Sequence, residues 1–153
     1  VREGFDLVVT TNSGYPLDLN LYQSVKGMSA AARIVKQGGA IIVAAECGDP
    51  MGCSGPFLDL LDRGKTPDDL LKHICAPGFS FPEQWQVQIQ ALIQKKANVF
   101  VYSSLPDEFL RRAHLIPCAD IAATAHDLLL RCGNGARVAV LPEGPLTIPY
   151  LAD

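Results

Sequence analysis

Three residues within five positions, Tyr22, Gln23 and Lys26, combine a phenol, an amide and an ammonium group. Tyr22 and Lys26 are four apart and Gln23 and Lys26 three apart, so on a helix their head groups converge on one small volume. That set suits a carboxylate with an adjacent hydroxyl or carbonyl. A charge-assisted hydrogen bond from Lys26 would contribute about 1.5–3 kcal/mol, enough to orient an anion but too little to be the sole source of catalysis. Spacing alone favours an ordinary solvated helix face.

The other reactive side chains are less organised. His73, His114 and His126 fall in separate predicted helices without an HxxxH pattern, so none is read as a metal ligand. Cys47 and Cys53 flank a Gly/Pro loop where a soft metal could sit, but further ligands are lacking nearby. Glu46, Asp49, Asp68 and Asp69 are candidates for an acidic site, although Asp68 and Asp69 already have a role at a helix start. With Cys75, Cys118 and Cys132 the chain has five cysteines and no CxxC pair. Buried reduced thiols are therefore expected rather than a disulfide framework or zinc site. Neither GxGxxG nor GxxxxGK[ST] occurs, which leaves dinucleotide and P-loop chemistry unsupported.

The elements that position these residues alternate. Strands are expected at 6–10, 40–45, 99–102 and 137–141, with an edge strand near Leu115-Ile116. Helices are expected at 19–28, 30–37 (capped by Ser29 and stopped by Gly38-Gly39), 56–62, 67–74, 82–96, 107–114 and 120–132. Trp85, Ile89, Leu92 and Ile93 form the apolar stripe of the helix at 82–96, and periodicity does not settle which face Trp85 takes. The pattern predicts an α/β fold: a three-layer sandwich whose mainly parallel, Rossmann-like sheet is flanked by helices. Ligands in such sheets collect beyond the carboxyl ends of the strands, here in the loops after the first two.

The 153 residues suit a single domain, with a core at about 6–141 and a Pro-rich tail at 142–153 expected to be only partly ordered. Hydrophobic residues make up 48% and charged ones 19%, which supplies a real core and argues against extended disorder. A net charge of −3 provides no basic field for nucleic acid or anionic membranes. Without a membrane-length apolar run or a signal-like start, the chain is expected to be cytoplasmic. It begins at Val1 without an initiator Met and is read as an excised piece of a longer protein.

The segment Thr10-Thr11-Asn12-Ser13-Gly14-Tyr15-Pro16-Leu17-Asp18, followed by Tyr22-Gln23-Ser24-Val25-Lys26-Gly27-Met28-Ser29-Ala30-Ala31, resembles the C-terminal domain of the nickel-pincer-nucleotide-dependent lactate racemase family. Gly38-Gly39-Ala40-Ile41-Ile42 is similar to that family's second strand, and Pro82-Glu83-Gln84-Trp85 with Gln88 to its tryptophan-bearing helix. The likeness extends over about Asp6 to Leu141. It implies an isomerase, a racemase or epimerase of a 2-hydroxy acid, that removes and returns hydride through a nickel-pincer nucleotide. Lys26 and Gln23 would then orient the substrate carboxylate, Tyr22 would assist and Trp85 would shape the cavity. The cofactor, its histidine ligand and its lysine anchor, and the two histidine bases would belong to an N-terminal domain, the partner of this one. No metal ligand is assigned to this chain, and the isolated piece is expected to be inactive. Where many relatives have an Asp-Gly-x-Gly-His type loop, residues 47–55 here lack His, which opens the pocket to another 2-hydroxy acid or a polyol. The alternative reading is a stand-alone α/β module that binds a small anion or a protein partner without catalysis.

Overall fold

The computed structural model describes residues 1–49 and 55–152. Alternation of apolar side chains along the first strand, β1 (Phe5–Thr11), divides the molecule into two sides. Val8 joins the larger core cluster, whereas Leu7 and Val9 point to a smaller one on the opposite face. The second strand, β2 (Val35–Ala44), repeats this division with Ile41 and Val43 against Ala40 and Ile42. Further strands are β3 (Asn98–Tyr102), β4 (Ile116–Pro117) and β5 (Val138–Leu141). All pair in parallel in the order β4-β3-β2-β1-β5. Pro117 lies on the edge strand, where the ladder bond it cannot donate is not needed.

The larger core is covered by α1 (Leu21–Ala32), α2 (Pro56–Leu61), α3 (Pro67–Ile74), α4 (Gln84–Lys96) and α5 (Asp107–Arg112). The opposite face is covered by α6 (Ile121–Cys132), whose Ile121, Ala125, Leu128 and Leu129 pack on Leu7, Ala40 and Ile42. The result is the expected α/β three-layer arrangement, with unequal outer layers.

Several boundaries differ from the sequence expectation. Ser29 does not cap a second helix: α1 runs through it to Ala32, because Ser24, Val25, Met28, Ala30 and Ala31 continue one buried face. Gly38-Gly39 does not stop a helix either. Both residues lie inside β2 at a register shift, since Phe5 pairs with Val35 but Leu7 pairs with Ala40. The apolar stripe of α4 is divided between its two faces. Ile93 is buried, but it is joined there by Gln86, Val87, Gln90 and Ala91, while Trp85, Ile89 and Leu92 face outward. The cysteines also divide: Cys47 and Cys118 are buried, whereas Cys75 and Cys132 are exposed.

The tail is more structured than expected. It forms a 3-10 turn at Gly144–Leu146 against α1, and the Val1 ammonium group donates to the Tyr150 carbonyl at 3.1 Å. A Cβ at Gly144 would lie 2.6 Å from the Thr11 carbonyl oxygen, so only glycine lets the tail cross there.

Candidate active-site face and its relatives

The approach of α1 to the end of β1 sets the geometry. Asn12 is fully buried; its Oδ1 accepts from the Gly27 N–H at 3.0 Å, and its amide donates to the Leu17 carbonyl. A Cβ on Gly27 would come within 2.9 Å of the Thr11 carbonyl oxygen, so this helix can sit so close to the strand only with glycine there. Asn20 starts the helix, with its side chain accepting from the Gln23 N–H at 3.1 Å. Tyr22 and Gln23 thereby fall in the first turn, and Lys26 in the second.

Leu21, Val25 and Met28 are fully buried on the inner face of α1, which turns Lys26 to solvent. The Lys26 ammonium donates to the Gln23 amide oxygen at 2.5 Å. Among the described residues Lys26 has no carboxylate partner. Two ammonium N–H groups and the Gln23 amide N–H groups remain to be offered outward. The pair is thus a cluster of donors, suited to an anion.

Tyr22 leans the other way. Its ring meets Phe57 edge-on, 5.6 Å between centroids at 88°, and is partly buried against α2. Across α1 lies α4, joined to it by the Gln86 amide, which donates to the Tyr22 carbonyl at 2.7 Å. A small cleft of about 180 Å³ opens between the two helices, bordered by Val25, Lys26, Ser29, Gln86 and Ile89. Of the four residues singled out in the sequence, Lys26 lines it; Tyr22, Gln23 and Trp85 belong to the same two helices but are not among its described lining residues.

Trp85 is 54% exposed in the first turn of α4. The corner before it is pinned: Glu83, at φ 61°, accepts from the Phe57 N–H at 3.0 Å, and Gln84 accepts from the Phe81 N–H at 2.7 Å. With Ile89 and Leu92 it makes an outward apolar stripe beside Lys26.

The remaining candidates disperse. No three His, Cys, Asp or Glu among the described residues come together as a metal site. Cys53 lies outside the described residues, and Cys47 is buried with its sulfur 3.4 Å from the Ser24 hydroxyl. Asp68 pairs with Lys95 at 2.6 Å, which holds its carboxyl below the usual carboxylate range, and the Asp69 N–H is capped by Thr66. Asp68 and Asp69 are thus accounted for at the start of α3, away from Glu46 and Asp49 along the chain.

A larger cleft, about 660 Å³, lies beyond the carboxyl ends of β1 to β4. It takes in the loops after β3 and β4 as well as the two expected. Among the described residues it shares no lining residue with the small cleft beside Lys26.

The fold and this face define a class: a parallel α/β domain that presents a donor cluster and an apolar stripe on adjacent helices. The chain belongs to the lactate racemase C-terminal domain family, whose model matches residues 2–148. It is 38% identical over 143 residues to a lactate racemase of Thermoanaerobacterium thermosaccharolyticum, covering 91% of this chain and 33% of that protein. Over 141 residues it is 36% identical to a lactate racemase of Lactiplantibacillus plantarum, with the same two coverages. The solved structure of the lactate racemase apoprotein from T. thermosaccharolyticum superposes with a TM-score of 0.85 at 31% identity, over 99% of this chain and 36% of that one. The chain thus spans about a third of the length of these relatives.

Proposed function

We propose that this chain is the substrate-contacting C-terminal domain of a 2-hydroxy acid racemase or epimerase of the nickel-pincer-nucleotide type. An N-terminal domain would close over the face formed by α1 and α4. The observation that carries this reading is the Lys26–Gln23 pair at 2.5 Å, lacking a carboxylate partner among the described residues and bordered by the exposed stripe of Trp85, Ile89 and Leu92. Coverage of only a third of the named lactate racemases gives such a partner domain room to exist.

The described residues offer no ligand set for nickel, so no step through the cofactor is assigned to this chain. Its own part is binding and orientation. Lys26 and the Gln23 amide hold the substrate carboxylate by charge-assisted hydrogen bonds, which fixes the carbinol carbon relative to the groups that act on it. Trp85 covers the substrate and excludes water, which strengthens those bonds. Tyr22 supports the same face through its contact with Phe57.

In the full-length protein, Lys26→Ala should lower kcat/KM for a 2-hydroxy acid by roughly 10- to 150-fold, the equivalent of one charge-assisted hydrogen bond. The melting temperature should not move, because Lys26 is exposed. Unchanged kinetics would remove Lys26 from the site. Tight hydroxy acid binding by the isolated 153 residues would favour a stand-alone anion-binding module instead.

A further inference from the structure

We propose that the cleft beyond the carboxyl ends of β1 to β4 binds a small organic cation, a primary ammonium carried on a short apolar body. This inference does not rest on the racemase reading. The cleft has the size of a small-molecule site, about 660 Å³, and lies where parallel sheets of this kind collect ligands.

The chemistry of its wall selects the ligand. Among the described residues no lysine, arginine or histidine lines the cleft, so phosphates and carboxylates find no counter-charge there. Asp18 and Glu46 do line it, and neither is paired with a cation among the described residues. Asp18 is only 7% exposed. Its Oδ2 accepts from the Glu46 N–H at 3.0 Å, and its Oδ1 has no hydrogen-bond partner among the described residues. A nearly buried carboxylate with one oxygen open to the cavity offers an acceptor to a ligand's donor. Asp107, across the cleft, already pairs with Arg111 at 2.9 Å and adds less.

Hydrogen-bond accounting gives the same answer. The Thr11 hydroxyl donates to the Pro142 carbonyl at 2.5 Å, and the Ser104 hydroxyl to the Glu46 carbonyl at 2.6 Å. The N–H groups of Ala45, Glu46 and Ser104 are likewise engaged, with the Tyr102 carbonyl, Asp18 and the Glu46 carbonyl. None of these donors is left for a ligand, whereas the Ser103 hydroxyl, which accepts from the Leu105 N–H, keeps its own proton to offer beside the carboxylate oxygens. Its apolar part is small, with Ala44, Ala45 and Cys118 beside Tyr102, whose ring is half exposed at the end of β3. An aromatic ring beside a carboxylate pair favours a cation with some apolar body. A metal ion is not the occupant that these groups suit, because no three ligating side chains among the described residues converge.

Three probes with one body separate the possibilities: phenethylamine, the neutral 2-phenylethanol and the anionic phenylacetate, each titrated calorimetrically into the full-length protein. Phenethylamine should bind saturably and at least about tenfold more tightly than either other probe, with added salt weakening it. Glu46→Gln, at an exposed position, should reduce that affinity several-fold without changing the melting temperature. Asp18→Asn should reduce it further, while its retained carbonyl oxygen still accepts from Glu46. Equal binding of all three probes, no saturable binding of the amine, or amine binding unchanged in Glu46→Gln would overturn the proposal. Because Lys26 borders a different cleft, Lys26→Ala should leave amine binding intact; a loss there would place the amine elsewhere and also overturn it.

Discussion

Asp6 shows how much one side chain can coordinate. Its Oδ1 accepts from Lys36 at 2.7 Å and its Oδ2 from the Arg137 N–H at 2.8 Å, tying the start of β1 to β2 on one side and β5 on the other. The Lys36 ammonium first, and the Arg137 N–H next, hold the Asp6 carboxyl below its ordinary value of 3.8. A depressed folded-state pKa means that stabilisation is complete above the unfolded value and is lost as pH falls through the folded one. Asp6→Asn should therefore lower the melting temperature at pH 7, and the gap to the unaltered protein should narrow as pH falls below 3.8 and through the lowered folded-state value. Melts recorded from pH 7 to 2 test this; a gap that does not narrow over that range would mean that Asp6 acts by packing instead. The sequence discloses an aspartate at the head of a strand but neither partner, because one lies 30 and the other 131 positions away. Lys26 and Gln23 were legible for the opposite reason: their contact is local to one helical turn.

At the level of elements, most helices and all five strands could be read from periodicity and capping residues, and the errors have a common cause. Helical periodicity identifies an apolar stripe but not what the helix packs against. On α4 the inner face includes two buried glutamines, which a hydrophobic pattern assigns to solvent. Gln86 and Gln90 are tolerated there because their amides donate to the backbone carbonyls of Tyr22 and Ala113, each at 2.7 Å. These acceptors belong to other elements and are invisible locally. Gln86→Ala should cost about 1 kcal/mol of stability, read from the urea midpoint, since one hydrogen bond across the α1–α4 contact is lost. It should also loosen Tyr22; an unchanged midpoint would show that the α1–α4 contact is held by apolar packing alone. Gly38-Gly39 misled in the same way, because a glycine pair marks a helix end in isolation and a register shift once β1 lies alongside.

Across the whole molecule, the outward stripe of Trp85, Ile89 and Leu92 is the feature least expected of a domain whose work is finished by itself. Trp85→Ala should leave the urea midpoint of the 153-residue chain within about 0.5 kcal/mol of the original, because the ring is more than half exposed. In the full-length protein the same change should reduce turnover of a 2-hydroxy acid. A large loss of stability in the isolated chain would instead make Trp85 part of this domain's own packing. The sequence by itself determined the alternation of strands and helices, hence the parallel α/β sheet, and it determined the local cluster of Tyr22, Gln23 and Lys26. Those properties depend on residues a few positions apart, whose spacing is set by the helix and strand repeats. Only the tertiary structure decided which face of α4 is buried, that the tail from Gly144 closes over β1 and α1, and that Asp18 and Glu46 line one cleft. Each of these depends on the meeting of segments distant along the chain, whose contacts and hydrogen-bond partners no local spacing encodes.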